Sequence, residues 1–230
     1  MYINPEIKRI KDLKLNEKGY PVLNTENAKL VDEYVKNQSS YSNQSGDDFV
    51  RKYFKEHKGD VSVSAIITKI ILIDTVDSTN LKVHLGKDYY KKMAARIIEF
   101  NIEPIIAEGQ PIGDKFKEIA CWPPKKNSNK IDLNLFIFVS KYITRVNQYC
   151  YNGDAYSIMD SVVRDNLPVF SDPENGVSIP DLSKLRNSYN YDEYCMVISK
   201  ILEKHPGMTR EMLDHFVWFT FKKEAVDDKV

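Results

Sequence analysis

The pattern of apolar and polar positions is most regular between Leu133 and Leu167, where Leu133, Phe136, Ile137, Tyr142, Ile143 and Val146 recur mostly at three- and four-residue steps. That recurrence is the apolar face of an α-helix, and it places Lys141 in mid-helix among core positions. Asn152 and Gly153 break the pattern, and a second helix is expected to begin near Ser157. Ser157 and Asp160 have the spacing of a capping box, which would set Asp160 in the first turn, where the helix dipole favours a carboxylate. An amine and a carboxylate 160 − 141 = 19 residues apart can then face each other across a helix–loop–helix.

Elsewhere the same reading gives a series of helices. Residues 1–26 mix turn formers with charges and read as an irregular lead-in. Ala28–Val35 and Asp47–His57 read as short helices, the second with Phe49, Val50, Tyr53 and Phe54 on one face. Val61–Asp74 is apolar nearly all round, so periodicity does not separate a buried strand from a buried helix; its length and neighbours favour helix. Asp88–Asn101 is amphipathic, and Ile105–Ala107 is a short turn before Gly109, Pro111 and Gly113. Pro168, Pro173, Gly176 and Pro180 break the chain into a connecting loop. Tyr191–Lys204 and Arg210–Glu224 complete the helices, the last capped by Thr209.

Composition narrows the class. With 230 residues, 42% of them hydrophobic, the chain can bury a sizeable core. Its 33 basic residues balance 33 acidic ones, so no overall basic field points to nucleic acid and any DNA-binding face must be local. The local candidate is residues 115–130, where Lys115, Lys117, Lys125, Lys126 and Lys130 oppose Glu118, a net of 5 − 1 = +4, and where the stretch PPKKNSNK has a loop composition. Such a loop either clamps a phosphate backbone or is simply a solvated surface. Cys121, Cys150 and Cys195 form no CxxC pair and no four-cysteine pattern, so free thiols, no iron–sulfur cluster and a reducing compartment are expected. The four histidines lack metal-ligand spacing, and no cofactor is expected. Without an N-terminal signal region or a run of 18 apolar residues, no membrane association is expected and a cytoplasmic location is the default.

The Lys141 helix (SKYI) followed by Asp160 (IMDSVV) resembles the core of the helix-hairpin-helix DNA glycosylases of the endonuclease III type, in which a lysine helix precedes an aspartate at about this distance. A closer likeness, over roughly residues 60–224, is to bacterial proteins of unassigned activity with a Ser-Lys-Tyr helix, a Pro-Ile-Tyr-Asp-Ser-like turn and a Leu-Trp-like last helix, matched by DHFVWFTFKKE. The Gly-rich hairpin that precedes the lysine in glycosylases, and whose amides grip a DNA phosphate, is replaced here by LFIFV. The resemblance implies an all-α, single two-lobed domain, one lobe at 60–130 and the other at 131–224 with the N-terminal helices. It also implies Lys141 and Asp160 as the catalytic pair, and Asn80, in TVDSTNL, as a wedge into the gap left by an extruded base.

Cleaving an N-glycosidic bond passes through an oxocarbenium-like sugar, which a carboxylate such as Asp160 stabilises. A neutral lysine amine can attack the same carbon and form a Schiff base, giving lyase activity through Lys141. The base must first be flipped out of the duplex; Trp122, Tyr142, Tyr156 and Trp218 are candidate stacking partners, although aromatic residues also serve as plain core. In a host, such an activity serves DNA repair or defence against modified phage DNA. The rival readings are a non-catalytic helical scaffold that binds nucleic acid or protein, and an N-glycosidase acting on RNA or nucleotides. In the non-catalytic reading Lys141 snorkels and Asp160 caps.

Overall fold

The computed structural model describes residues 2–37, 44–77, 79–123 and 132–223. They are mostly helical. In chain order the helices are α1 (Thr25–Asn37), α2 (Gln44–Glu56), α3 (Val63–Val76), α4 (Leu81–Leu85), α5 (Tyr89–Glu99), α6 (Glu103–Glu108) and α7 (Lys115–Ala120). After a two-stranded sheet come α8 (Phe136–Tyr151), α9 (Ser161–Asn166), α10 (Leu182–Asn187), α11 (Tyr191–Lys204) and α12 (Arg210–Phe221). The sheet pairs β1 (Cys121–Trp122) antiparallel to β2 (Leu133–Asn134), with Cys121 opposite Asn134 and Trp122 opposite Leu133. Leu133 therefore belongs to a strand, and the lysine helix starts at Phe136, where the Asn134 side chain accepts the Phe136 amide at 3.0 Å.

Helix α8 is central because its apolar positions extend almost all round. Phe136, Phe138, Val139, Tyr142, Ile143, Val146, Tyr149 and Cys150 are all buried, and the helix packs on α2, α3, α6 and α7. At its start Phe136 and Phe116 of α7 meet Tyr191 of α11; the Phe116 and Tyr191 rings stack 4.5 Å apart. Helix α12 packs on α1 and α9, and α3 on α5.

The ambiguous apolar run 61–74 is helix α3, started by Ser62, whose hydroxyl accepts the Ala65 amide. Its buried face carries Ala65, Ile66, Ile70 and Ile73, and Lys69 lies among them. The Lys69 amine meets both oxygens of Glu103 at 2.9 and 2.8 Å, and the Tyr142 hydroxyl donates to the same carboxylate at 2.7 Å. A buried charge needs such a partner set, since desolvation costs several kcal/mol per ion. Among the described residues no helix is long and apolar enough to cross a membrane.

Candidate functional site

One hydrogen bond joins the two segments that carry the lysine and the aspartate. The amide of Met159 donates to the hydroxyl of Ser140 at 3.3 Å, so Lys141 and Asp160 each stand one residue from a direct contact between α8 and the following segment. The capping box expected at Ser157 does not form. Residues 152–160 carry no regular secondary structure, α9 starts at Ser161, and Asp160 is itself the N-cap, accepting the Val163 amide at 2.9 Å. Ser157 instead faces Arg210 of α12, whose guanidinium donates to its hydroxyl at 2.8 Å and to the Asp154 carbonyl at 2.8 Å. The Tyr191 and Tyr194 hydroxyls donate to the carbonyls of Ser157 and Ile158. Four side chains, of Ser140, Tyr191, Tyr194 and Arg210, thus hold the extended run that presents Asp160, an ordering that a loop does not supply on its own.

Lys141 is directed elsewhere. Its amine donates to the Asp77 carbonyl at 2.9 Å and lies 3.9 Å from the Asp77 carboxylate. Arg145, one turn further along α8, reaches both oxygens of the same carboxylate, at 3.2 and 3.4 Å. Burial opposes the charged form of Asp77, but Arg145 and Lys141 outweigh it and hold the carboxyl below its ordinary range. Burial likewise opposes the charge of Arg145, and Asp77 more than restores it. Asp77 follows α3, so this ion cluster ties α3 to α8.

Opposite stands α12, on which Asp214, Trp218 and Lys222 follow at four-residue steps, the spacing of one helix face; Lys222 is the C-cap, its amine 3.8 Å over the Trp218 ring. Asp214 accepts no hydrogen bond from the described residues. Burial and then the negative charge of Asp160 push its carboxyl up to about 6, against the pull of His215, Arg145 and Lys141. Burial lowers Lys222, with Asp160 raising it and Lys141 lowering it. The charges of Asp160 and Lys141 therefore both reach Asp214 and Lys222. Beside it Asp214 and Arg210, with Ser157 and Tyr194, line a cavity of about 10 Å³, room for about one water molecule.

The other sequence candidates fall at different places. Asn80 is exposed on the turn after Asp77 and caps α4 in the left-handed conformation, φ 55°, which asparagine tolerates. Tyr142 is fully buried against Glu103, and Tyr156 is buried with its hydroxyl on the Gln110 carbonyl at 2.6 Å, so both are core and neither is a stacking surface. Trp122 is held by the Ile119 carbonyl and by Arg96, 3.9 Å from its ring. Trp218 is the one of the four aromatics that stands on the clustered face of α12. Lys115 and Lys117 lie on the helix α7, while Lys125, Lys126 and Lys130 lie outside the described residues.

Sequence reading missed Asp77, Arg145, Asp214 and Lys222. Two of them left a signal: Arg145 is four residues from Lys141 and so on its face, and Asp214 is a carboxylate on a mostly apolar helix. Among the described residues no three His, Cys, Asp or Glu side chains are grouped to hold a metal ion.

Fold and cluster together describe a helical protein with a mixed-charge site between α8, α9 and α12. Residues 28–150, more than half of the chain, match the family described as HI_0787_N, N-terminal domain, and the chain belongs to that family. The match takes in Lys141 and stops short of Asp160. No curated protein and no solved structure matches the chain.

Proposed function

We propose that the protein is a DNA glycosylase-like enzyme that cleaves the N-glycosidic bond of a flipped, modified or damaged base. The observation that carries this reading is the Ser140–Met159 hydrogen bond, which joins α8 next to Lys141 to the segment next to Asp160. Asp160 would face the developing positive charge of the sugar, and Trp218 would stack on the base. The cavity as it stands takes about one water, so the base itself would lie outside it, against Trp218. The two-lobed architecture of the glycosylases is part of this proposal: α3, α4, α5 and α7 form one connected group and α9, α10, α11, α12 and α1 a second, while α8 packs on α3 and α7 of the first and meets Tyr191 of α11 in the second through Phe136 and Thr144.

DNA would be held without a glycine hairpin. The first turn of α8 is capped by Asn134 and buried, so phosphate contacts fall to Lys125, Lys126 and Lys130 and a wedge to Asn80. The test is incubation with duplexes carrying assorted modified bases, with released bases read by mass spectrometry. Base release that Asp160→Asn reduces by orders of magnitude supports the reading; release at the full rate in that variant removes Asp160 from the chemistry. A borohydride-trapped adduct that vanishes in Lys141→Gln would assign the amine as nucleophile.

A specific observation favours a second reading. Both groups already have structural work, Lys141 on the Asp77 carbonyl and Asp160 at the α9 N-terminus. A non-catalytic scaffold that binds nucleic acid or protein requires no more of them, and it is separated from the first reading by DNA binding without base release.

A further inference from the structure

We infer that Asp214 is the proton donor to the departing base, acting opposite the Asp160 carboxylate. The inference deepens the proposed base release and rests on it. Three geometric facts carry it. Asp214 shares a helix face with Trp218, the aromatic surface of the cluster, so a base lying on that ring comes next to the carboxyl. Its carboxyl accepts no hydrogen bond from the described residues, although Asp77 and Asp160 both do. It also lines the small cavity with Arg210, Ser157 and Tyr194, which has room for about one water.

Asp214 is only partly buried, and its carboxyl oxygens are not among the fully buried atoms left unpaired, so water on the cavity side can exchange a proton with it. Its charge state is set by the groups around it. Asp160 at the α9 cap disfavours its ionisation, Lys141 and Arg145 of α8 and His215 of α12 favour it, and the balance with burial leaves a group that titrates near 6. The neighbouring Tyr194 of α11 is itself pushed well up by burial and then by Asp214. A carboxyl poised near neutral pH is suited to general acid catalysis.

In the reaction the C1′–N bond breaks and its electron pair passes to the base nitrogen, which takes the Asp214 proton. The sugar cation, facing the Asp160 carboxylate, takes hydroxide from a water molecule, and the proton that water gives up returns to Asp214. The net change is addition of one water across the glycosidic bond.

The experiment compares two duplex substrates, one with a single hypoxanthine and one with a single 7-methylguanine. Hypoxanthine leaves as an anion unless it is protonated; 7-methylguanine already carries positive charge and leaves neutral. Proton donation by Asp214 requires Asp214→Asn to slow hypoxanthine release by about a hundredfold or more, and to slow 7-methylguanine release far less, so that the ratio of the two rates shifts at least tenfold. Asp214→Glu, which keeps a proton to give, should restore much of the ratio. Asp160→Asn should slow both substrates alike. If Asp214→Asn does not fold, the wild-type pH profile decides: hypoxanthine release should fall above about pH 6, with 7-methylguanine release not sharing that limb. Equal slowing of both substrates, or a shared pH limb, overturns the role of Asp214 and leaves base release standing. A wild-type protein that releases neither base overturns the proposed function, and this inference with it.

Discussion

The amine of Lys141 donates to the backbone carbonyl of Asp77 at 2.9 Å, while the Asp77 carboxylate is taken chiefly by Arg145. The two cations of α8 thus share one residue unequally. Lys141→Gln should cost about 1 kcal/mol, the worth of one hydrogen bond. Arg145→Met should cost about 3 kcal/mol or more, because it leaves a buried carboxylate short of its main partner. Urea denaturation of the two variants checks the order, and equal costs would mean that Lys141 carries as much of the Asp77 charge as Arg145.

Lys69, Glu103 and Tyr142 form a polar group inside the core. Lys69→Met alone should destabilise by about 3–5 kcal/mol, since it strands the Glu103 carboxylate. Replacing all three with Met, Leu and Phe should recover most of that loss, because no buried charge or hydroxyl is then left unmatched. A triple variant as unstable as the single one would show that packing, not charge, sets the cost.

Gly153 lies against the side chain of Asn147, and a Cβ added there would collide with that amide. Asn147 donates to the Ile106 carbonyl at 2.8 Å and accepts the Ala155 amide at 3.2 Å. Gly153→Ala should therefore cost about 2 kcal/mol or more through those buried bonds. In an Asn147→Ala background the same change should cost far less, since neighbouring sites are not additive. Thermal melting of the four proteins closes the cycle.

Asp214 makes stability depend on pH in a defined sense. Its folded value is raised from 3.8 to about 6, so the folded state keeps a proton that the unfolded chain has lost. The stability this contributes is fully present below about pH 3.8 and is lost as pH rises through about 6. Asp214→Asn stays neutral throughout and should gain on the wild type across that window, by up to about 3 kcal/mol before solvent screening. Denaturation midpoints at pH 4, 5, 6 and 7, as working conditions, check it; a difference that does not change with pH would exclude the shift.

Residues 115–130 make a prediction that does not depend on catalysis. If Lys125 and Lys126 contact phosphates, neutralising both should weaken DNA binding for every sequence and flatten the log–log salt dependence by about two. An unchanged slope assigns the segment to solvent.

Local patterning determined much of the helix content. Tyr191–Lys204 has the bounds its spacing predicts, Thr209 caps α12 as expected, and α3 is a helix across an apolar run that periodicity left open. These features are legible because a helix is made by neighbours three and four residues apart, and caps by groups closer still. Ser157 shows where that logic stops: its hydroxyl has the spacing to cap a helix, yet Arg210, 53 residues away, takes it, and Asp160 becomes the cap instead. The tertiary structure alone decided that Asp77 meets Lys141 and Arg145 across 64 and 68 residues, that Lys69 finds Glu103, and that the charge of Asp160 reaches Asp214. Those pairings are set by which helix faces pack together, a long-range choice that no repeat within a single helix encodes.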